Sequence, residues 1–147
     1  MYRNALVAID LTEPAARSVL ERARTLLADD ADLTVVHVVE PQYVQYSFDP
    51  TFTGSMIASL EAEARRSAGR RVAELCEPFG IAEDRQLILE GRAAQVLRET
   101  LRDGSYDLLI VGTHGRHGWR LMLGSTANAL LHDTPTDIQV CRIGDGD

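Results

Sequence analysis

The chain is 147 residues long, 45% apolar and 25% charged, which fits one globular domain over residues 1–147 with a core that needs no staples. Its net charge of −7 argues against non-specific nucleic-acid binding, which depends on Lys and Arg neutralising phosphates, but leaves room for a single nucleotide held by backbone dipoles. Cys76 and Cys141 have no metal or redox spacing and are expected to be reduced; with no signal peptide and no apolar run of membrane length, the expected location is the cytoplasm, with no membrane contact.

Ala5-Leu6-Val7-Ala8-Ile9 is a short apolar run with polar flanks, the pattern of a strand buried on both faces. Thr12 can cap the helix that follows, and Pro14 is tolerated in its first turn. Ala16, Val19, Leu20, Ala23, Leu26 and Leu27 then recur at helical spacing until Asp29 to Asp32 breaks the pattern. Leu33 to Val39 is rich in β-branched residues and predicts a second buried strand. The stretch from Glu40 to Gly54 holds Pro41, Pro50 and four of the eight aromatics, Tyr43, Tyr46, Phe48 and Phe52; it predicts a long loop.

From Ser55 towards Pro78 a long helix is expected, with Ile57, Leu60, Ala64, Ala68, Val72 and Leu75 on one side. Glu61, Glu63, Arg65, Arg66, Arg70 and Arg71 form its solvated charged face. Arg85 to Leu89 predicts a third strand. Gly91 opens a turn into a helix carrying Ala94, Leu97 and Leu101, and Gly104 ends it. Asp107 to Val111 predicts a fourth strand, Gly112 to Ser125 a glycine-rich loop, and Thr126 to His132 a short helix. In Asp137 to Ile143, apolar Ile138, Val140 and Ile143 are interleaved with Gln139 and Arg142, as in an edge strand; Gly144 to Asp147 is expected to be a disordered tail.

Strict alternation of strands and helices predicts an α/β fold, a doubly wound parallel sheet with helices on both faces and right-handed crossovers. Such sheets bind ligands beyond the carboxyl ends of their strands, where the strand order reverses, and the first and fourth strands usually flank that point. Asp10 and Gly112 fall just past those two strands. Glycines let backbone come close to a ligand, successive N–H groups can cradle an anion, and the first N–H groups of a helix opening at Gly124-Ser125-Thr126 are unpaired. A phosphate chain bridging Gly112–Gly115 and Gly124–Thr126 is therefore physically reasonable. The pattern is neither a Walker loop nor the dinucleotide fingerprint. Glycines that serve only turns and helix packing are the plainer explanation.

Ala8-Ile9-Asp10, Val36-His37-Val38, Asp107 to Gly112, Gly112-Thr113-His114-Gly115 and Gly124-Ser125-Thr126-Ala127 together resemble the universal stress protein family over nearly the whole chain. The resemblance implies a Rossmann-like five-stranded sheet of order 3-2-1-4-5 and a homodimer paired through the last strand, 137–143. It also implies ATP or AMP as ligand, with Mg²⁺ carried by the nucleotide. Asp10 and the backbone of Val38, beside Ala8, would then meet adenosine. Gly112, Gly115, Arg116, Gly124, Ser125 and Thr126 would meet ribose and phosphates. Nucleotide-binding members carry G-x2-G-x9-G-[S/T]; here only eight residues separate Gly115 from Gly124, one fewer. Members resembling universal stress protein A have a similarly short connection and hold ATP poorly, but they lose the glycines that this chain keeps.

His114 and His117 lack further ligands nearby, so no protein metal site is expected. His37, inside a strand, is expected to be a hydrogen-bonded structural residue, and His132 suits a helix C-terminus. No catalytic constellation is visible, since Ser125 has no base-and-orienter pair; slow ATP hydrolysis is the most that is expected. The leading expectation is a dimeric stress-response regulator switched by an adenine nucleotide, acting on an unidentified protein partner. The alternative is a dimeric interaction module of the same fold that binds no nucleotide.

Overall fold

The computed structural model describes residues 1–11, 15–40, 50–51, 53–114 and 124–143. Five strands, β1 (Tyr2–Ala8), β2 (Leu27–Val39), β3 (Gln86–Glu90), β4 (Leu108–His114) and β5 (Asp137–Ile143), form one sheet in the order β3-β2-β1-β4-β5. Every neighbouring pair is parallel. Four helices connect them: α1 (Ala15–Leu26), α2 (Gly54–Cys76), α3 (Ala93–Asp103) and α4 (Gly124–His132). The expected doubly wound sheet of order 3-2-1-4-5 is thus the observed one.

The apolar runs read as doubly buried because each face of the sheet has its own core. Ala5, Val7, Leu33, Val35, Leu108 and Ile110 point to the face covered by α1 and α2, where they meet Val19, Leu20, Val72 and Leu75. Leu6, Val36, Leu109 and Val111 point to the other face and meet Leu97 and Leu101 of α3 and Leu130 of α4. Successive strand residues point to opposite faces, so both sets must be apolar. In α1, Ala16, Val19, Leu20 and Ala23 are buried at spacings of three, one and three, one side of a 3.6-residue turn. Thr53 caps α2 by accepting a hydrogen bond from the Met56 amide at 3.2 Å. Pro78 lies in the first of two 3-10 turns that follow α2, and Gly80 leaves that turn with φ +64°, a conformation that costs glycine nothing.

Two strands run further than their hydrophobicity suggests. β2 begins at Leu27, through Asp29, Asp30 and Asp32, with a register break between Tyr2↔Leu27 and Asn4↔Asp32. These exposed aspartates pair outward, Asp30 with Arg3 at 2.9 Å and Asp32 with Arg85 at 3.1 Å, so the bulged start needs no buried face. β4 continues through Gly112, Thr113 and His114, which pair with Cys141, Arg142 and Ile143 of β5. Gly112 is therefore inside the strand, not beyond it; pairing along β5 supplies the backbone bonds that an apolar run would have announced. Ile138 and Val140 of β5 are only half-buried, as expected of an edge. The expected 40–54 loop (apart from 40, 50–51 and 53–54), the Thr12–Pro14 cap and the 144–147 tail lie outside the described residues.

At the amino-terminal edge, the Asp107 carboxylate accepts from the backbone amides of Arg3 at 2.9 Å and Asn4 at 3.0 Å. The Arg3 amide bond is the main reason its carboxyl sits below the usual range, partly offset by desolvation. A depressed folded value contributes stability above the unfolded carboxylate range of about pH 4, and loses it as pH falls through the folded value. Asp107→Asn should therefore flatten the acid side of a melting-temperature profile below about pH 4. An unchanged profile would refute that assignment.

Cys76 and Cys141 are free and buried. Burial pushes the Cys76 thiol up to about 11 and raises Cys141, the latter opposed by the charge of Arg22. Only the thiolate reacts. Alkylation of the native protein at about pH 8 should therefore be at least about 100-fold slower than that of the urea-unfolded chain, with two thiols titrating only after unfolding.

Candidate functional site

The two central strands part at their carboxyl ends. Pairing between β1 and β4 stops at Ala8↔Val111, while pairing between β4 and β5 goes on to His114↔Ile143. The chain after β1 leans the other way, since the Ile9 amide donates to the Val36 carbonyl of β2 at 3.0 Å. The result is a crevice with Ile9 and Asp10 on one lip and Gly112–His114 on the other. The strand order reverses at this point, where open α/β sheets receive ligands. The helix α4 runs back from β4 towards parallel β5, so its first turn, Gly124-Ser125-Thr126, begins at this same edge, with amides that have no partner within the helix.

Of the residues expected at the site, Ala8 ends β1 half-buried and Asp10 is exposed two residues on. Val38 lies in β2 opposite Leu89, half-buried against the α3 and α4 core. Gly112 lines the far lip from within β4, and Gly124, Ser125 and Thr126 open α4. Gly115 and Arg116 fall outside the described residues, as does His117. Among the described residues, no three His, Cys, Asp or Glu side chains gather as metal ligands.

Of the contacts that support the site, only that of His37 was legible beforehand. The His37 ring does hydrogen-bond, as expected of a structural histidine: its Nδ1 donates to the Ile9 carbonyl at 2.9 Å, since a carbonyl can only accept. Arg71, exposed as expected of a solvated face, also donates to the Leu11 carbonyl, next to Asp10. Arg65 on that same face pairs with Glu90 at the end of β3 at 3.1 Å. Glu40, just past β2, accepts from the Ala93 amide at 3.2 Å and so occupies the start of α3. This satisfies an amide that Arg92, at the cap position, cannot satisfy with its own side chain. The start of α3 thus already has an acidic partner from the chain.

Residues 1–142 match the model of the universal stress protein family. The chain belongs to the universal stress protein family. Universal stress protein A homolog 1 of Coxiella burnetii is 36% identical over 140 residues, covering 93% of this chain and 94% of that relative. Among solved structures, the hypothetical protein MJ0577 superimposes with a TM-score of 0.77 at 17% identity, covering 99% of each chain. A universal stress protein in complex with cAMP superimposes with a TM-score of 0.58 at 21% identity over 95% of this chain and 96% of that one. At these identities the structural likenesses establish the fold, and they agree with the strand order of this universal stress protein. No helix among its described residues is long and apolar enough to cross a membrane.

Proposed function

We propose that this universal stress protein binds an adenine nucleotide, ATP or AMP, in the crevice between β1 and β4, and acts as a cytoplasmic, dimeric regulatory module in the stress response. The parting of β1 from β4 above Ala8 and Val111 carries the reading, because it opens the sheet at the edge where α4 begins, and a helix start favours an anion. Ala8, Asp10 and Val38 surround the adenosine end. Gly112, Gly115, Arg116, Gly124, Ser125 and Thr126 take ribose and phosphates, and Arg116 adds a charge-assisted contact. The solved relative in complex with cAMP supports an adenine nucleotide as the ligand class. The half-buried edge strand β5 is the surface through which a second copy pairs, extending the sheet.

Calorimetric titration with Mg·ATP decides the binding claim. A ligand at about 100 times its dissociation constant stabilises a folded protein by about 2.7 kcal/mol, so a melting shift must accompany the heat. No heat and no shift at millimolar ATP would sink the claim. The eight-residue connection between Gly115 and Gly124 favours the second reading, an interaction module without nucleotide, and that same null result would support it.

A further inference from the structure

Three hydrogen bonds converge on the few residues that follow β1. The Ile9 amide donates to the Val36 carbonyl at 3.0 Å, the His37 Nδ1 donates to the Ile9 carbonyl at 2.9 Å, and Arg71 of α2 donates to the Leu11 carbonyl. All three partners come from β2 or from the helix packed beside it. The neighbouring guanidinium groups behave differently: Arg66 and Arg70 both turn to Glu63, at 2.9 and 3.3 Å. Asp10 sits between the two carbonyls that His37 and Arg71 hold.

We infer that His37 and Arg71 are positioning residues for Asp10, which they orient towards the crevice by fixing the Ile9–Asp10 peptide before it and the Leu11 carbonyl one residue beyond it. The inference rests on the nucleotide reading of that crevice. A residue beyond the last ladder pair would otherwise sample several backbone wells, and ordering it on binding would reduce affinity. Gripping the Ile9 and Leu11 carbonyls meets that cost when the protein folds. The same grip keeps the end of β1 on the β2 side, away from β4, and so keeps the crevice open. Because Arg71 reaches across 60 residues of sequence, docking of α2 on the sheet becomes a condition for a preorganised nucleotide site.

The test compares His37→Leu, His37→Asn and Arg71→Met with the parent protein, alone and with Asp10→Ala, by Mg·ATP titration and by hydrogen exchange of the peptide spanning residues 8–12 without nucleotide. His37→Leu and Arg71→Met should each weaken binding at least about fivefold. His37→Asn, whose amide nitrogen can replace Nδ1 as donor, should restore it. Neither loss should recur on the Asp10→Ala background, where there is no carboxylate left to orient. Affinities within twofold of the parent, or the same losses without Asp10, would overturn the inference. Hydrogen exchange separates this failure from failure of the nucleotide reading. A parent that binds no ATP removes that reading. Faster exchange at 8–12 in His37→Leu and Arg71→Met would still establish the grip, and unchanged exchange would refute it.

Discussion

Ile110→Ala should lower the unfolding free energy by about 3–4 kcal/mol and the melting temperature by about 10 °C. Ile110 is wholly buried in β4, on the face that α1 and α2 cover. β4 is held on both sides, by β1 from Ala5↔Leu108 to Ala8↔Val111 and by β5 along all seven of its residues. With both neighbours fixed, the backbone cannot close over the missing atoms. The loss therefore includes a cavity term as well as the transfer of the removed methylene and methyl groups. Against a total stability of about 5–15 kcal/mol this is a large fraction. Glu74→Ala, at an exposed position of α2, is the control and should stay within about 0.5 kcal/mol of the parent. Urea denaturation measures both, and a loss below about 1 kcal/mol for Ile110→Ala would mean the core is not packed as described.

The position of Ile110 was legible in the sequence because strands buried on both faces leave continuous apolar runs, and the other central strands left the same mark. Ala5 to Ile9, Leu33 to Val39 and Asp107 to Val111 each lie within a strand or within a residue of its end. Amphipathic spacing likewise located α1, α2 and α3. What stayed hidden depended on partners instead of periodicity. The start of β2 at Leu27 passes through three aspartates, and nothing local marks them as strand; they are tolerated there because Arg3 and Arg85 meet two of them outside the core. The last three residues of β4 have no apolar signature, and their place in the sheet is set by β5, which comes later in the chain.

The candidate site divides in the same way. Alternation of strands and helices already located the crevice, and Asp10 and Gly112 stand on its two lips. Its supports were not legible, because they join distant parts of the chain. Arg71 meets Leu11 across 60 residues and Glu40 meets Ala93 across 53. In the sequence Arg71 is one of seven charges on a helix, and nothing in its spacing separates it from Arg70, which turns to Glu63. His37 was the exception, since an isolated histidine within an apolar strand must find a polar partner, and the Ile9 carbonyl is that partner.

Gly124→Val should weaken Mg·ATP binding by at least about tenfold, or about 1.4 kcal/mol, and leave the stability of the nucleotide-free protein unchanged or slightly higher. Gly124 is the first residue of α4, where amides without an intrahelical partner and the positive end of the helix dipole favour an anion. A valine there puts two methyl groups where phosphate oxygens would approach, yet it is no worse than glycine as a helix residue. Loss of binding without loss of stability thus separates a filled site from a damaged fold. The site has two ends, and they should fail separately. Adenosine, which has no phosphates, should bind Gly124→Val as it binds the parent. Asp10→Ala should weaken adenosine and ATP by the same factor, because the contact it removes is common to both. Titrating the two ligands against the two variants gives four affinities. If Gly124→Val weakened adenosine as much as ATP, the phosphates would not lie at the start of α4, and the ligand would have to lie elsewhere along the crevice.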